Sequence, residues 1–153
     1  MDRTTTPQDN PSVPAPEELR RKRETIVRQH LDAENRQDVQ GVLDTFATPK
    51  YDVKALGAIS DGKEAVHELM TGLFAGFPDF HVEVLAVHHG TDAVIVEEVM
   101  SGTHDGPWAG VPPTGRKMQV ACACIFEFQG ESLTCEKVYF DLASILRQLG
   151  AMG

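Results

Sequence analysis

The sequence predicts an α+β domain in which a strongly curved antiparallel sheet wraps around N-terminal helices and forms a cone with an internal pocket. Helical periodicity fills the first half of the chain, and β-rich runs fill the second half. Helices followed by consecutive long strands are the order expected of an α+β fold. A chain of 153 residues with 41% hydrophobic content is long enough for one core. We therefore predict a single domain over residues 15–153, preceded at residues 1–14 by a polar, Pro-rich arm expected to be disordered.

Three helices are predicted before the main sheet. From Pro16, which suits a first helical position, an apolar stripe that includes His30 runs to about Asn35. The segment "DVQGVLDTFA" predicts a shorter second helix, and "YDVKAL" predicts a short strand. Asp61 is the expected cap of the third helix, whose apolar face ends at "GFPDF".

Four β-rich runs follow: "FHVEVLAVHHG", "AVIVEEVMSGTH", "KMQVACACIFEFQG" and "LTCEKVYFD". In the second run both alternating sets of side chains are apolar except for one glutamate each, Glu97 in one set and Glu98, with Met100, in the other. A carboxylate in an apolar row is costly to bury without a partner, so it lines a pocket or pairs with a cation. We expect Glu98 and Met100 to contact a substrate, although the sequence does not decide which glutamate faces inward.

Composition excludes several classes of partner. Lys and Arg total 14 against 23 Asp and Glu, a net charge of -9, so binding of nucleic acid or an anionic membrane is not expected. The N-terminus has no apolar signal region and no segment is apolar enough to span a membrane, which predicts a cytoplasmic protein. The three cysteines fit reduced thiols in strands, and their spacing favours no metal site.

Asp141 follows the last strand and precedes an apolar helix. Such an aspartate is either the helix N-cap or, if its strand face looks into the cone, an acid/base group with a raised pKa. Tyr139 lies on the same strand face because side chains alternate with a period of two. The sequence leaves both possibilities open.

Three further residues are potential site residues. His104 ends a strand beside the Gly- and Pro-rich loop "HDGPWAGVPPTGR", and Trp108 lies within that loop, where binding residues often occur. His30 is either a hydrogen-bonded core histidine or a substrate contact, and His104 is either a solvated loop histidine or an oxyanion donor.

Several motifs together resemble a known family. They are "GTH-G-W-G-PPTGR" at residues 102–116, "FEF" at 126–128, "YFDLASILRQLG" at 139–150, and the segments "RQHLDAENRQD" and "FPDFHVEV". This pattern, over about residues 17–150, resembles the SnoaL-like polyketide cyclase (ester cyclase-like) group of the nuclear transport factor 2-like superfamily. The sequence departs from the cyclases at Lys137, where they often carry a Trp.

The resemblance implies a cofactor-free enzyme in which Asp141 is the general acid and base of an aldol cyclisation or isomerisation of a small apolar or polyketide-like carbonyl compound. Tyr139 or His104 would then donate a hydrogen bond to the oxyanion. One alternative is a hydratase or epoxide-hydrolase-like enzyme in which Glu98 or Asp141 orients a water. Another is a non-catalytic ligand-binding module in which Asp141 only caps the helix. Domains of this shape commonly pair through the outer face of the sheet, so we also expect a homodimer.

Overall fold

The computed structural model describes residues 15–152, and the predicted N-terminal arm lies outside them. Four helices are present: α1 (Glu17–Asn35), α2 (Val39–Asp44), α3 (Lys63–Gly76) and α4 (Leu142–Gln148). Six strands are present: β1 (Lys50–Val53), β2 (Ala58–Asp61), β3 (His81–His89), β4 (Ala93–Thr103), β5 (Lys117–Gln129) and β6 (Ser132–Phe140). A short 3-10 helix, Lys54–Leu56, joins β1 to β2. The α+β class and the order of elements are confirmed.

The strands form one curved, open sheet in the order β2-β1-β6-β5-β4-β3. Strands β3 to β6 are antiparallel neighbours, as predicted. The short strand β1 adds one parallel pair to this sheet, because it lies beside β6 and sets Tyr51 opposite Glu136. This pairing brings β1 beside the last strand and extends the cavity wall.

Helices α2 and α3 begin with different capping residues. Asp38 caps α2, because its carboxylate accepts the Gly41 N–H at 2.9 Å. Asp61, predicted to cap α3, instead ends β2, and the cap position is taken by Gly62 with a φ of 97° that favours glycine. Only Gly62 separates Asp61 from the first residue of the helix, Lys63.

One hydrophobic core lies between the concave face of the sheet and helices α1 and α3. Val27 and Leu31 of α1 and Val66, Met70 and Phe74 of α3 are buried in it. The buried face of α3 is therefore the apolar face that its sequence predicted. Asn35 fixes the end of α1 to the edge of the sheet, since its side chain both accepts the Val82 N–H (2.7 Å) and donates to the Val82 carbonyl (3.0 Å).

The convex face of the sheet is uncovered in the single chain. Leu85 is 61% exposed and Tyr139 is 43% exposed on this side. Dimerisation through this face stays a prediction. No helix in the described part of the chain is both long and apolar enough to cross a membrane.

Candidate active site

A cavity of about 460 Å³ lies inside the curve of the sheet, closed on one side by α3 and by the loop between β4 and β5. Most of its wall is apolar, and a group of polar side chains lies on its inner wall. The apolar and aromatic lining includes Leu69, Leu73, Phe77, Phe80, Met100, Trp108, Met118, Val138 and Phe140. The polar lining includes Glu34, Tyr51, Glu98, Cys124 and Glu136. An apolar chamber with a few converging polar groups is the usual form of a small-molecule site.

Glu98 is the carboxyl group in the middle of β4 that faces this cavity. Its side chain is 3% exposed, and its Oε1 accepts a hydrogen bond from the Cys124 thiol at 3.2 Å. Its Oε2 has no hydrogen-bond partner among the residues described. Burial raises the pKa of Glu98 to about 8, the nearby charge of Glu34 acts in the same direction, and the two thiols of β5 partly oppose them. A carboxyl group with this pKa can both give and take a proton near neutral pH.

A second buried polar group lies beside Glu98 and joins α1 to β1 and β6. His30 Nε2 lies 2.8 Å from the Tyr51 hydroxyl, 3.1 Å from Glu34 Oε1 and 3.6 Å from Glu136 Oε1. The Tyr51 hydroxyl is also 2.9 Å from Glu34 Oε1. His30, Glu34 and Glu136 are each at most 5% exposed. We call His30, Glu34, Tyr51 and Glu136 the polar cluster.

Hydrogen bonding fixes one nitrogen of His30. The Thr45 hydroxyl donates to the Val42 carbonyl at 2.7 Å, so its oxygen accepts the His30 Nδ1–H, also at 2.7 Å. His30 Nε2 therefore faces the rest of the polar cluster. Tyr51 donates its single hydroxyl proton to Glu34 Oε1, so the polar cluster is held together by hydrogen bonds among its own members.

The carboxyl of Glu136 and the phenol of Tyr51 also have raised pKa values. Burial raises the pKa of Glu136 well above the usual range, and the charges of Glu34 and Glu98 add to this effect. Burial likewise raises the pKa of the Tyr51 phenol, and the charges of Glu136 and Glu34 reinforce it. At neutral pH, Glu136 and Tyr51 are therefore neutral; Glu136 is a hydrogen-bond donor on the cavity wall, whereas the Tyr51 hydroxyl donates to Glu34.

Two sets of side chains have the residue types of metal ligands. One is His30, Glu34 and Glu136, and the other is Glu98, Cys122 and Cys124; in each set the ligand atoms lie within 4.8 Å of one another. In the first set the hydrogen bonds to Tyr51 already occupy the ligand atoms that a metal would need. In the second set the hydrogen bond with the Cys122 thiol, together with burial, raises the pKa of the Cys124 thiol, which disfavours the thiolate that binds metals.

The expectation that Asp141 faces the cavity is wrong. Asp141 is the N-cap of α4: one oxygen accepts the Ala143 N–H at 3.1 Å and the other accepts the Ser144 hydroxyl at 2.6 Å. Its side chain is 61% exposed. These hydrogen bonds, that of the Ser144 hydroxyl first, hold the pKa of Asp141 below its usual value, opposite to the shift that a buried acid/base group would show.

Tyr139 was expected on the cavity wall together with Asp141, and this is also wrong. Glu136, Val138 and Phe140 line the cavity, so alternation along β6 turns Lys137 and Tyr139 to the convex face. Lys137 pairs there with Glu127 at 2.9 Å. The departure at Lys137 from the cyclase pattern therefore lies outside the cavity.

His104 and His30 are both fully buried, and neither lies on the cavity wall. His104 stacks on Phe77 with ring centroids 5.4 Å apart, and its Nδ1 accepts the Thr114 N–H at 3.2 Å. It is neither the solvated loop histidine nor the oxyanion donor that the sequence suggested, since Phe77 is the ring that reaches the cavity. His30 is the hydrogen-bonded core histidine of the polar cluster.

The other expected substrate contacts lie at the cavity. Glu98, Met100 and Trp108 all line it, whereas the side chain of Glu97 is 59% exposed on the convex face and pairs with His88 at 2.9 Å. The structure thus answers which glutamate faces inward. Contact of these residues with a substrate stays a prediction.

Glu34, Tyr51 and Glu136 were missed by the reasoning from sequence. A signal existed for Glu34, which follows His30 by four residues and therefore lies on the same face of α1. A signal also existed for Glu136, which shares its strand face with two apolar residues, Val138 and Phe140.

The profile of the SnoaL-like polyketide cyclase family matches residues 24–149. The chain belongs to this family. No curated protein matches it. The family match covers every residue of the polar cluster and Glu98, so the buried carboxyls lie within the shared domain.

Solved structures with the same fold support the architecture. A candidate SnoaL-like polyketide cyclase from Jannaschia sp. CCS1 superposes with a TM-score of 0.76 at 23% identity, covering 95% of this chain and 99% of the other. IdmH, a candidate polyketide cyclase from Streptomyces antibioticus, gives 0.69 at 22% identity, covering 83% of this chain and 97% of the other. A protein with a ketosteroid isomerase-like fold from Catenulispora acidiphila, solved with trimethylamine, gives 0.71 at 24% identity, covering 89% and 94%. At these identities the likeness shows the fold alone.

Proposed function

We propose that this protein is a cofactor-independent acid/base enzyme that moves a proton on a small, largely apolar carbonyl compound, in a polyketide-type cyclisation or an isomerisation. The observation that carries the proposal is Glu98, a buried carboxyl on the cavity wall with one unpartnered oxygen and a pKa of about 8. Membership of the SnoaL-like family supports the reaction class. The acid/base role that the sequence assigned to Asp141 passes to Glu98.

In the proposed mechanism ionised Glu98 takes a proton from the carbon next to the substrate carbonyl. The electron pair of the broken C–H bond moves onto the carbonyl oxygen and gives an enolate. The protonated Glu136 carboxyl, on the cavity wall, is the donor for the developing oxyanion. The enolate carbon then attacks a second carbonyl, or it is reprotonated elsewhere, and Glu98 returns its proton.

Asp141 has a structural role in this proposal. Its carboxylate orders the first turn of α4, directly after Phe140 on the cavity wall. It therefore supports one end of the wall without exchanging a proton with substrate.

The proposal is tested by exchange of the proton next to a carbonyl with deuterium from solvent, which needs no knowledge of the physiological substrate. A panel of β-keto esters and aryl methyl ketones is incubated with the protein in D₂O, and loss of the α-proton signal is followed by NMR. Wild type and Glu97→Gln should accelerate exchange over buffer, and Glu98→Gln should not. Glu97 is the matched control because it is the adjacent glutamate of β4 and its side chain points outward.

Product mass distinguishes the hydratase alternative. Cyclisation by aldol addition and isomerisation leave the mass of the substrate unchanged, whereas hydration adds the mass of one water. Exchange that persists in Glu98→Gln and disappears in Asp141→Asn would contradict the proposal and assign the acid/base role to Asp141. If wild type shows neither exchange nor any product, the protein would instead be a non-catalytic ligand-binding module.

A further inference from the structure

Among the described residues that line the cavity, every side chain that can carry a charge is acidic. Four of the described lining residues are glutamates: Glu34, Glu98 and Glu136 are buried in its wall, and Glu68 lies exposed on α3. None of the described lining residues is Lys, Arg or His. Buried carboxyls normally have a cationic partner or stay protonated. His30 lies behind the wall beside Glu34 and Glu136, but no Lys, Arg or His among the described residues pairs with Glu98.

Aromatic rings make up much of the remaining wall. Tyr51, Phe77, Phe80, Trp108 and Phe140 all line the cavity. The face of an aromatic ring attracts a cation, and the attraction is larger where water is excluded. Carboxyls on the inner wall together with rings around it form the environment that recognises an organic ammonium group.

We propose that the substrate of this cavity carries a protonated or quaternary amine, with ionised Glu98 as its counter-ion and the neutral Glu136 carboxyl as a second contact. The inference rests on the proposed function, since it assigns a charge to the substrate of the same site. The unpartnered Oε2 of Glu98 is the oxygen free to meet the cation. The apolar rest of the wall accommodates the carbon skeleton that carries the carbonyl group.

Proton release should accompany the binding of a cation. The titratable groups that face Glu98 are Glu34 from α1, Cys122 and Cys124 from β5, and Glu136 from β6. Two of these carboxyls, Glu98 and Glu136, hold protons in the empty cavity at neutral pH because burial raises their pKa values. A cation beside them favours the ionised form and expels a proton, whereas an uncharged ligand of the same shape does not. The amine would in this way convert Glu98 into the base that the mechanism needs.

An organic cation fits this site better than a metal ion does. The ligand atoms of His30 and Glu34 are engaged with Tyr51, as described above, so a metal would have to break that triangle of hydrogen bonds. An ammonium group in the open cavity can approach Glu98 and Glu136 without displacing it. The aromatic walls also have no role in metal binding.

The test compares phenyltrimethylammonium with tert-butylbenzene, which has the same shape and no charge. Trp108 lines the cavity and is the single tryptophan of the chain, so its fluorescence reports occupancy directly. Isothermal titration calorimetry in two buffers of different ionisation enthalpy then counts the protons released per bound cation. Both measurements report binding alone, so they stand apart from the exchange assay of the proposed function.

We expect wild type to bind the ammonium at least about ten-fold more tightly than the hydrocarbon, which corresponds to about 1.4 kcal/mol. We expect release of up to about one proton with the ammonium and none with the hydrocarbon. Glu98→Gln and Glu136→Gln should each reduce the preference, and Glu97→Gln should keep it. Equal or tighter binding of the hydrocarbon to wild type would overturn the inference, as would cation binding unaffected by both cavity variants.

Discussion

Glu98→Gln replaces the carboxyl of the cavity wall by an amide of nearly the same shape, and its effect on stability depends on pH. Folding raises the pKa of Glu98 from a usual value of 4.5 to about 8, chiefly by burial. Between these two values the folded protein holds a proton that the unfolded chain releases. Stability must therefore fall as pH rises through this window, and it falls no further from this cause above about pH 8.

The size of the effect follows from the same two values. At about 1.4 kcal/mol per pH unit, the difference between 4.5 and about 8 corresponds to about 5 kcal/mol over the whole window. Most of it, about 4 kcal/mol, should be lost between about pH 5 and about pH 9. Glu136 adds a loss of the same sign, because its pKa is raised for the same reason. The part that belongs to Glu98 is the part that disappears in the glutamine variant.

The assay is urea unfolding followed by far-ultraviolet circular dichroism at several pH values, for wild type, Glu98→Gln and Glu97→Gln. Wild type and Glu97→Gln should lose stability together as pH rises, and Glu98→Gln should lose about 4 kcal/mol less. Identical pH dependence in Glu98→Gln and wild type would refute the reasoning, because Glu98 would then ionise equally easily in both states. A difference in unfolding free energy between Glu98→Gln and wild type that does not change with pH would also refute it, because such a difference would come from the packing of the amide.

Two further predictions concern the frame around the cavity. Gly106→Ala should destabilise the fold by about 3 kcal/mol, because a Cβ at this position would collide with the backbone oxygen of Ala75. Gly72→Ala, whose added Cβ would meet no atom within 4 Å, is the control, and equal melting temperatures for the two variants would contradict this. Asp141→Ala should lower stability modestly at neutral pH and less in acid, because the lowered pKa of Asp141 means that the cap is lost as the carboxylate takes up a proton; an undiminished effect in acid, measured by thermal unfolding, would contradict the cap.

The general fold could be predicted because it follows from patterns that are local in sequence. The apolar stripes of α1 and α3 and the four long β-rich runs indicated the class and the order of elements. Strand β2 was missed because its four residues are mostly exposed and have no buried alternate row. The parallel pairing of β1 with β6 was missed because it joins segments far apart in the chain.

The polar side chains of the site were harder to predict, because the face of a strand is decided by its neighbours. For β6 the sequence offered two alternating rows, and Tyr139 and Asp141 were expected to face the cavity. The structure turns the other row inward, which exposes Asp141 and buries Glu136. For β4 the pattern predicted only that one of two glutamates, Glu97 or Glu98, faces the cavity. The polar cluster itself requires the meeting of α1, β1 and β6, which no single segment encodes.

The central claim is that the acid/base group of this cavity is Glu98, and it is tested most directly by carboxyl-detected ¹³C NMR over a pH titration. Glu98→Gln and Asp141→Asn assign the two resonances. The account predicts that Glu98 titrates with a pKa of about 8 and that Asp141 titrates below its usual value. A Glu98 carboxyl that titrates near 4.5, its ordinary value, would contradict the account and remove the poised proton from the cavity wall.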